Sequence, residues 1–328
     1  MALRVLFIGG NGIISSASSA LAVERGHELT LLNRGQSTLR PRIDGVRHLV
    51  GDAGDAASIT AAIGDETFDV VANFRSFSPA QVARDLELFE GRCRQYVYIS
   101  SASAYQKPIA RLPITESTPL RNPYWQYSRD KIASEDLLVA AYRERGFPAT
   151  IIRPSHTYDG TSVPLLGGWT AIERMRRGAP VVVQGDGTSL WTMTHTRDFA
   201  VAFVGLLGND RAIGEAFHIT SDEVLTWNQI TELLAHAAGT SARVVHIASE
   251  SIARELPEHG PGLLGDKAHS VIFDNNKVKS LVPEYRAITP FWQGAREIAE
   301  WHDADPSRRI ADSQLDAAFD RLVARFGG

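Results

Sequence analysis

A chain of 328 residues with 44% hydrophobic and 22% charged residues can bury a large core and fits a soluble globular protein of one large domain or two. A formal net charge of −4 gives no basic footprint for nucleic acid, and the single cysteine, Cys93, excludes an internal disulfide, a CxxC pair and a cysteine-rich zinc site. The apolar opening MALRVLFIGG stops early at glycines, unlike a secretory leader, and no stretch is apolar for long enough to cross a membrane, so the expected location is cytoplasmic.

The first half alternates strand and helix signals. RVLFIG reads as a buried strand, SSASSALAVERG as a small-residue helix, HELTLLN and VRHLVG as strands and AASITAAIG as a short helix. FDVVANF, the helix PAQVARDLELFEG and the strand RQYVYIS follow, then a helix carrying Tyr127 to about Arg145 and the strand PATIIRP. Such alternation predicts a parallel sheet covered on both faces. Beyond Arg153 the pattern loosens: SHTYDGTSVPLLGG is loop-like, WTAIERMRRG a short helix and APVVVQGDG a strand entering a turn. TRDFAVAFVGLLG and EAFHITS resume the helix–strand pattern, and the last hundred residues are mainly helical.

Directly after the first strand stands GGNGIIS, which gives Gly9-x-x-Gly12-x-x-Ser15. Glycines there let the backbone approach a pyrophosphate, while the following helix presents its N–H groups and the positive end of its dipole. Ser15 in place of a third glycine slightly enlarges the helix–sheet contact. The tip of the second strand, LLNRG, carries Asn33 and Arg34 and no acid, which tilts the expected cofactor from NAD to NADP. Asp52, after the third strand, is placed to accept a hydrogen bond from an adenine amine.

In PYWQYSRDKIASED, Tyr127 and Lys131 stand four positions apart at a helix start, so their side chains share a face. An ammonium near a phenol favours the phenolate and suits proton transfer at neutral pH. Cys93, flanked by Arg92 and Arg94, is expected to be a buried, inert thiol, with an activated thiol as the alternative.

With the glycine turn, YISSASAY and the Tyr127–Lys131 pair in this order, the chain resembles the extended short-chain dehydrogenase/reductases, and more narrowly the NAD-dependent epimerase/dehydratase family in an atypical branch. IIRPSHTYDG and GDGTSLWTMTHTRDFA extend the likeness. It implies an α/β fold: a Rossmann-type doubly wound parallel sheet in 1–155, rejoined by 193–220, with a smaller discontinuous substrate domain from 156–192 and 221–328. It also implies reversible hydride transfer at a secondary hydroxyl or ketone of a sugar-like substrate. Carried over by position, Tyr127 is the proton donor and acceptor, Lys131 binds the nicotinamide ribose and lowers the Tyr127 pKa, and Ser101 orients the substrate carbonyl. The cofactor contacts expected are Gly9, Asn11, Gly12, Ile13, Ile14, Asn33, Arg34, Asp52, Phe74, Ser100, Pro154 and His156, besides Tyr127 and Lys131. The substrate contacts expected are Arg75, Ser103, Trp125, Tyr158 and Trp191, and no metal is expected.

Three departures from the family pattern narrow this reading. Ala102 and Ser103 replace the Asp-Glu pair of the sugar-nucleotide dehydratases, so a 4,6-dehydratase is not expected. Trp191 stands where relatives acting on nucleotide sugars have an arginine for the diphosphate. ANFRSF brings Arg75 near the cofactor or substrate, and Arg174 or Arg177 in RMRRG is a further candidate for an anionic substrate group. An NADPH-dependent ketoreductase remains an alternative to an epimerase. A vestigial, RNA-associated protein is the third reading, since NRG and GDAGD resemble the chloroplast stem-loop RNA-binding branch, although the negative charge argues against RNA. A homodimer is expected through PAQVARDLELFE and the Tyr127 helix.

Overall fold

The computed structural model describes residues 2–36, 39–40 and 42–327. The strands in chain order are β1 (Arg4–Ile8), β2 (Glu28–Asn33), β3 (Arg47–Val50), β4 (Phe68–Asn73), β5 (Cys93–Ile99), β6 (Ala149–Pro154), β7 (His156–Tyr158), β8 (Val181–Gln184), β9 (Leu190–Trp191), β10 (Met193–His195), β11 (Ala216–Ile219), β12 (Leu225–Thr226) and β13 (Val244–Ile247). Seven of them form one sheet in the order β11-β6-β5-β4-β1-β2-β3, with every neighbouring pair parallel. The principal helices are α1 (Ile13–Glu24), α2 (Ala56–Ile63), α3 (Pro79–Phe89), α4 (Gln126–Arg145), α5 (Trp169–Arg176), α6 (Thr196–Leu206) and α7 (Trp227–Ala237). The parallel sheet is the one read from the alternation, and its doubly wound, Rossmann-type order is the architecture that the family resemblance implies.

Strand alternation explains why the inner strands are apolar throughout. Val5 and Phe7 of β1 face a cluster with α1 and α6 that includes Phe74, Phe199 and Phe203, while Leu6 and Ile8 face α2, α3 and α4. β5 divides likewise, with Val97 and Ile99 on the first face and Tyr96 and Tyr98 on the second. Each strand thus buries both sets of side chains. α1 approaches α6 closely because Ser15, Ser18 and Ser19 are small and buried. The Ser18 and Ser19 hydroxyls are satisfied by donating to the carbonyls of Ile14 and Gly10.

From β1 the chain winds outward one way through β2 and β3, then returns to build β4, β5, β6 and β11 on the other side. A crevice opens at that reversal, beyond the carboxyl ends of β1 and β4. A second layer caps this end of the sheet. It contains the pairs β7–β10, β8–β13 and β9–β12 and a core around Trp169, Trp191, Trp227 and Phe291. The helix Ser313–Phe326 packs on β8 and β13 through Phe319 and Leu322. No helix among the described residues is long and apolar enough to cross a membrane.

Candidate active site

The crevice begins with the glycine turn. Gly9 has φ +89°, and a Cβ there would lie 2.4 Å from Arg75 Cγ. Both the left-handed backbone and the close approach require glycine. Ser15 is no passive substitute for glycine: its hydroxyl donates to the Gly9 carbonyl at 2.8 Å and accepts the Gly12 N–H at 2.7 Å. It locks the turn from within, and Asn11, Gly12, Ile13 and Ile14 line the groove beside the N-terminus of α1.

The groove has a volume of about 880 Å³ and runs from the β2 tip to Tyr127 and Thr157. Asn33, Arg34, Asp52, Phe74 and Arg75 line it. Asn33 Oδ1 accepts the Gly35 N–H at 2.9 Å, whereas its Nδ2 is buried without a partner, a donor where relatives of the NAD-binding pattern have an acid. Neither Arg34 nor Arg75 makes an ion pair among the described residues, and the Arg75 guanidinium stands 5.2 Å from the Phe77 ring centre. The glycine cradle, the orphaned amide and two unpaired guanidinium groups fit a dinucleotide with a polyanionic middle.

At the inner end of the groove α4 begins, just after Asn122, and its far end is closed by Gly146 at φ +69°. Asn122 Oδ1 accepts the N–H groups of Tyr124 and Trp125, each at 3.1 Å, and its Nδ2 donates to the carbonyls of Ser103 and Gly265. One buried amide therefore ties the β5 loop, the start of α4 and residues 263–267 together. No periodicity marks Asn122 in the sequence.

Tyr127 is half-buried and Lys131, one turn on, is 2% exposed. Lys131 Nζ donates to the carbonyls of Ser76 at 2.8 Å and Ile99 at 2.7 Å and lies 5.6 Å from the Tyr127 ring centre. Burial lowers the Lys131 pKa to about 7, with the Glu135 carboxylate opposing. The expected lowering of the phenol by Lys131 does not appear. Burial raises Tyr127 above the ordinary tyrosine range, the Asp266 carboxylate adds to the rise, and the Ser101 hydroxyl pulls the other way. Tyr127 is therefore a phenol, poised to donate.

Beyond Tyr127 lies a cavity of about 280 Å³ lined by Ser101, Ser103, Trp125, Pro154, His156, Thr157, Trp191, Asp266 and Lys267, among others. Ser101 Oγ is 2.9 Å from Ser103 Oγ, which is 2.7 Å from Ser128 Oγ, a chain of hydroxyls ending at the cavity wall. Trp191 is 2% exposed and packs 5.1 Å from Trp227. A second chamber of about 390 Å³, walled by Val163, Leu165, Leu166 and Leu263, shares Trp125, His156 and Lys267 with the first.

Several expected positions fall elsewhere. Arg75, expected at the substrate, lies over Gly9 in the dinucleotide groove because the β4 tip ends beside β1. Pro154 and His156, expected at the cofactor, line the inner cavity, and burial drops the His156 pKa to about 3 with the Lys267 charge assisting. The Ser100 side chain turns into the protein, where it donates to Glu135, itself paired with Arg153. Tyr158 belongs to the second-layer core, edge-on to His195 and Phe291 at 5.2 Å each. Arg174 is fully buried and holds Asp316 and Asp320 of the last helix, and Arg177 also bonds Asp316, so neither reaches the cavity. Burial pushes the Cys93 thiol up to about 12, which makes it inert. Asp266, Lys267 and Thr157 are among the cavity residues that sequence patterns did not point to, with Ser155, Val271 and Phe273; Lys267 had one faint signal, being among five lysines in a chain with 29 arginines.

The model of the NAD dependent epimerase/dehydratase family matches residues 5–220. The chain belongs to that family. It is 28% identical over 256 residues to the chloroplast stem-loop binding protein of 41 kDa b of Arabidopsis thaliana, covering 74% of this chain and 65% of that protein. It is 29% identical to the 2'-dehydrokanamycin reductase of Streptomyces kanamyceticus, covering 98% of this chain and 90% of that enzyme. Among solved structures, the UDP-glucose 4-epimerase of Bifidobacterium longum in complex with NAD+ and UDP superposes with a TM-score of 0.74 at 17% identity, covering 93% and 99% of the two chains. That likeness concerns the fold. Membership in the family accounts for the coincidence of a glycine cradle and a Tyr–Lys helix at one crevice.

Proposed function

We propose that this protein carries out hydride transfer at a secondary hydroxyl or ketone of a carbohydrate-like substrate, with Tyr127 as the acid/base. The observation that carries this reading is that Tyr127 belongs to the walls of both the dinucleotide groove and the inner cavity. A group placed there meets a cofactor on one side and a substrate on the other. The nicotinamide dinucleotide supplies the hydride acceptor or donor; the glycine turn, Asn33, Arg34, Asp52, Phe74 and Arg75 hold it. Ser101, steadied by Ser103, orients the substrate oxygen, and Tyr127 gives or takes the proton at that oxygen. Lys131 anchors the ribose side of the cofactor and fixes the β4 and β5 loops through Ser76 and Ile99.

One observation favours net ketone reduction over epimerisation: a relative that covers 98% of this chain and 90% of its own length is a reductase by name. Arg34 and the orphaned Asn33 donor support NADP(H) over NAD(H). The exposed Leu137 and Tyr142 of α4 support a homodimer through α3 and α4, which light scattering tests.

The deciding experiment has two parts. First, any nucleotide released on denaturing the purified protein is identified by mass. Tightly retained NAD(P)+ supports the epimerase, and reversible NADPH binding supports the reductase. Second, Tyr127→Phe is expected to lower hydride transfer about 10²–10⁴-fold with dinucleotide binding retained. Unchanged turnover in that variant would sink the proposal. Stem-loop RNA binding at physiological salt that persists without nucleotide would support the RNA-associated reading instead.

A further inference from the structure

Residues 263–267, LLGDK, wind into a single π-helical turn that brings two adjacent charges to the inner cavity. Their surroundings differ. Asp266 has a counter-charge: Lys107 Nζ, fully buried, lies 3.5 Å from Asp266 Oδ1. Lys267 has none. Among the described residues no carboxylate lies within 4.0 Å of its ammonium and no acceptor receives its protons. Its backbone is nonetheless held firmly, with its carbonyl accepting from Trp227 Nε1 at 3.1 Å and Ser189 Oγ at 3.4 Å.

The ammonium stands at the wall shared by the two cavities. A Cβ added to Gly262 would lie 3.9 Å from Lys267 Nζ and 4.0 Å from Trp125 Cη2, so both side chains reach toward Gly262 at the outer chamber. Around it the lining is apolar or uncharged: Trp125, a neutral His156, Trp191, Val163, Leu165 and Leu263. Glu258 also lines the outer chamber, but it is 65% exposed and 3.7 Å from His259. A second donor waits in the same cavity wall, since Trp191 Nε1 is buried with no acceptor. Buried donors without acceptors are costly. That cost applies to the Trp191 indole; Lys267 is half-buried and brings an unpaired ammonium to the same cavity, so an anionic group of a bound ligand would meet an open counter-charge there.

We propose that Lys267, with the Trp191 N–H, receives a single anionic group of the substrate, a carboxylate or a phosphate monoester, and so selects acidic over neutral carbohydrate-like substrates. This rests on the reading of the inner cavity as the substrate site. It gives Trp191 a role that fits its chemistry: an indole contributes one hydrogen bond and an apolar face, beside the single cationic side chain that, among the described residues, lines the cavity without a counter-ion. Lys267 is a specificity residue and takes no part in proton transfer. Asp266, balanced by Lys107, does not cancel it.

Calorimetric binding of D-glucuronate, D-glucose 1-phosphate and D-glucose to the protein with saturating NADP+ tests this. One or both anions are expected to bind at least about tenfold more tightly than glucose, and the stronger of the two names the anion. Lys267→Met should erase the preference and Lys267→Arg should keep it, with unchanged circular dichroism in both. No preference for an anion in the natural protein, or a preference undiminished in Lys267→Met, overturns the proposal. Tyr127→Phe separates the two readings. Anion preference that survives there while hydride transfer is lost supports both, and anion preference in a protein with no hydride transfer at all leaves only the proposed function wrong.

Discussion

The two walls of the crevice are built by different means. The dinucleotide wall comes from backbone: turns at the carboxyl ends of β1, β2, β3 and β4, each a few residues from its strand. The substrate wall comes from side chains brought from residues 101–127, 154–157, 191 and 266–273. The first needs only the right strand order. The second needs every one of those segments docked in its place. Backbone cradles therefore tolerate drift in the surrounding sequence, while the side-chain wall is where members of one family come to differ.

Expected outcomes of substitution sharpen this contrast. The largest effect should come from the strut joining the two walls, where Glu135 on α4 holds Arg153 of β6 and Ser100 after β5. Glu135→Gln leaves the Arg153 charge buried without its counter-ion and should cost about 3–5 kcal/mol in urea unfolding. It should loosen both sites together; loss of one site alone would show the walls to be independent.

Lys131 comes next, because its cost is set by pH. Its folded pKa, about 7, lies below the unfolded value of 10.5, so between these limits the unfolded chain binds the proton and the folded one does not. This group therefore makes stability rise as pH increases from about 7 to 10.5. Between pH 7 and 9 the rise should be about 2 kcal/mol, and Lys131→Met should remove that slope. Parallel unfolding curves of the two proteins across this range would refute the depressed pKa.

Gly9→Val forces a left-handed residue and presses on Arg75, at about 1–2 kcal/mol of stability. Its effect on binding should be confined to the dinucleotide, with anion binding at the inner cavity intact. The smallest effect is expected from Arg34→Asp at the exposed β2 tip. It should shift the ratio of NADP to NAD affinity toward NAD by about fivefold or less, measured by titration of nucleotide fluorescence.

How far the sequence could be read follows the same division. The strand that ends in GGNGIIS, the acid-free tip at Asn33 and the Tyr127–Lys131 spacing are local patterns, and each lands in the groove or at its inner end. Arg75 and Ser100 follow a strand end by one or two residues, and Pro154, His156 and Tyr158 span the end of β6 and the short β7, where the chain bends and the next side chain can turn to either wall. Their direction depended on what packed opposite: Glu135 drew in Ser100, and Gly9 left room for Arg75. Lys131 shows the same limit for electrostatics. Its spacing from Tyr127 was legible, but burial of both groups reversed the expected sign for the phenol.

Hydrophobic alternation and glycine placement by themselves determined the parallel sheet and the dinucleotide cradle, since these depend on periods of two and 3.6 residues and on backbone freedom that one residue type supplies. Only the tertiary structure decided which charges meet. Lys107 and Asp266 are 159 positions apart in the chain and pair in the protein, while Lys267, their neighbour, is left to face the cavity. Coulomb interaction and desolvation depend on distance and burial in space, and no count of residues along the chain contains either.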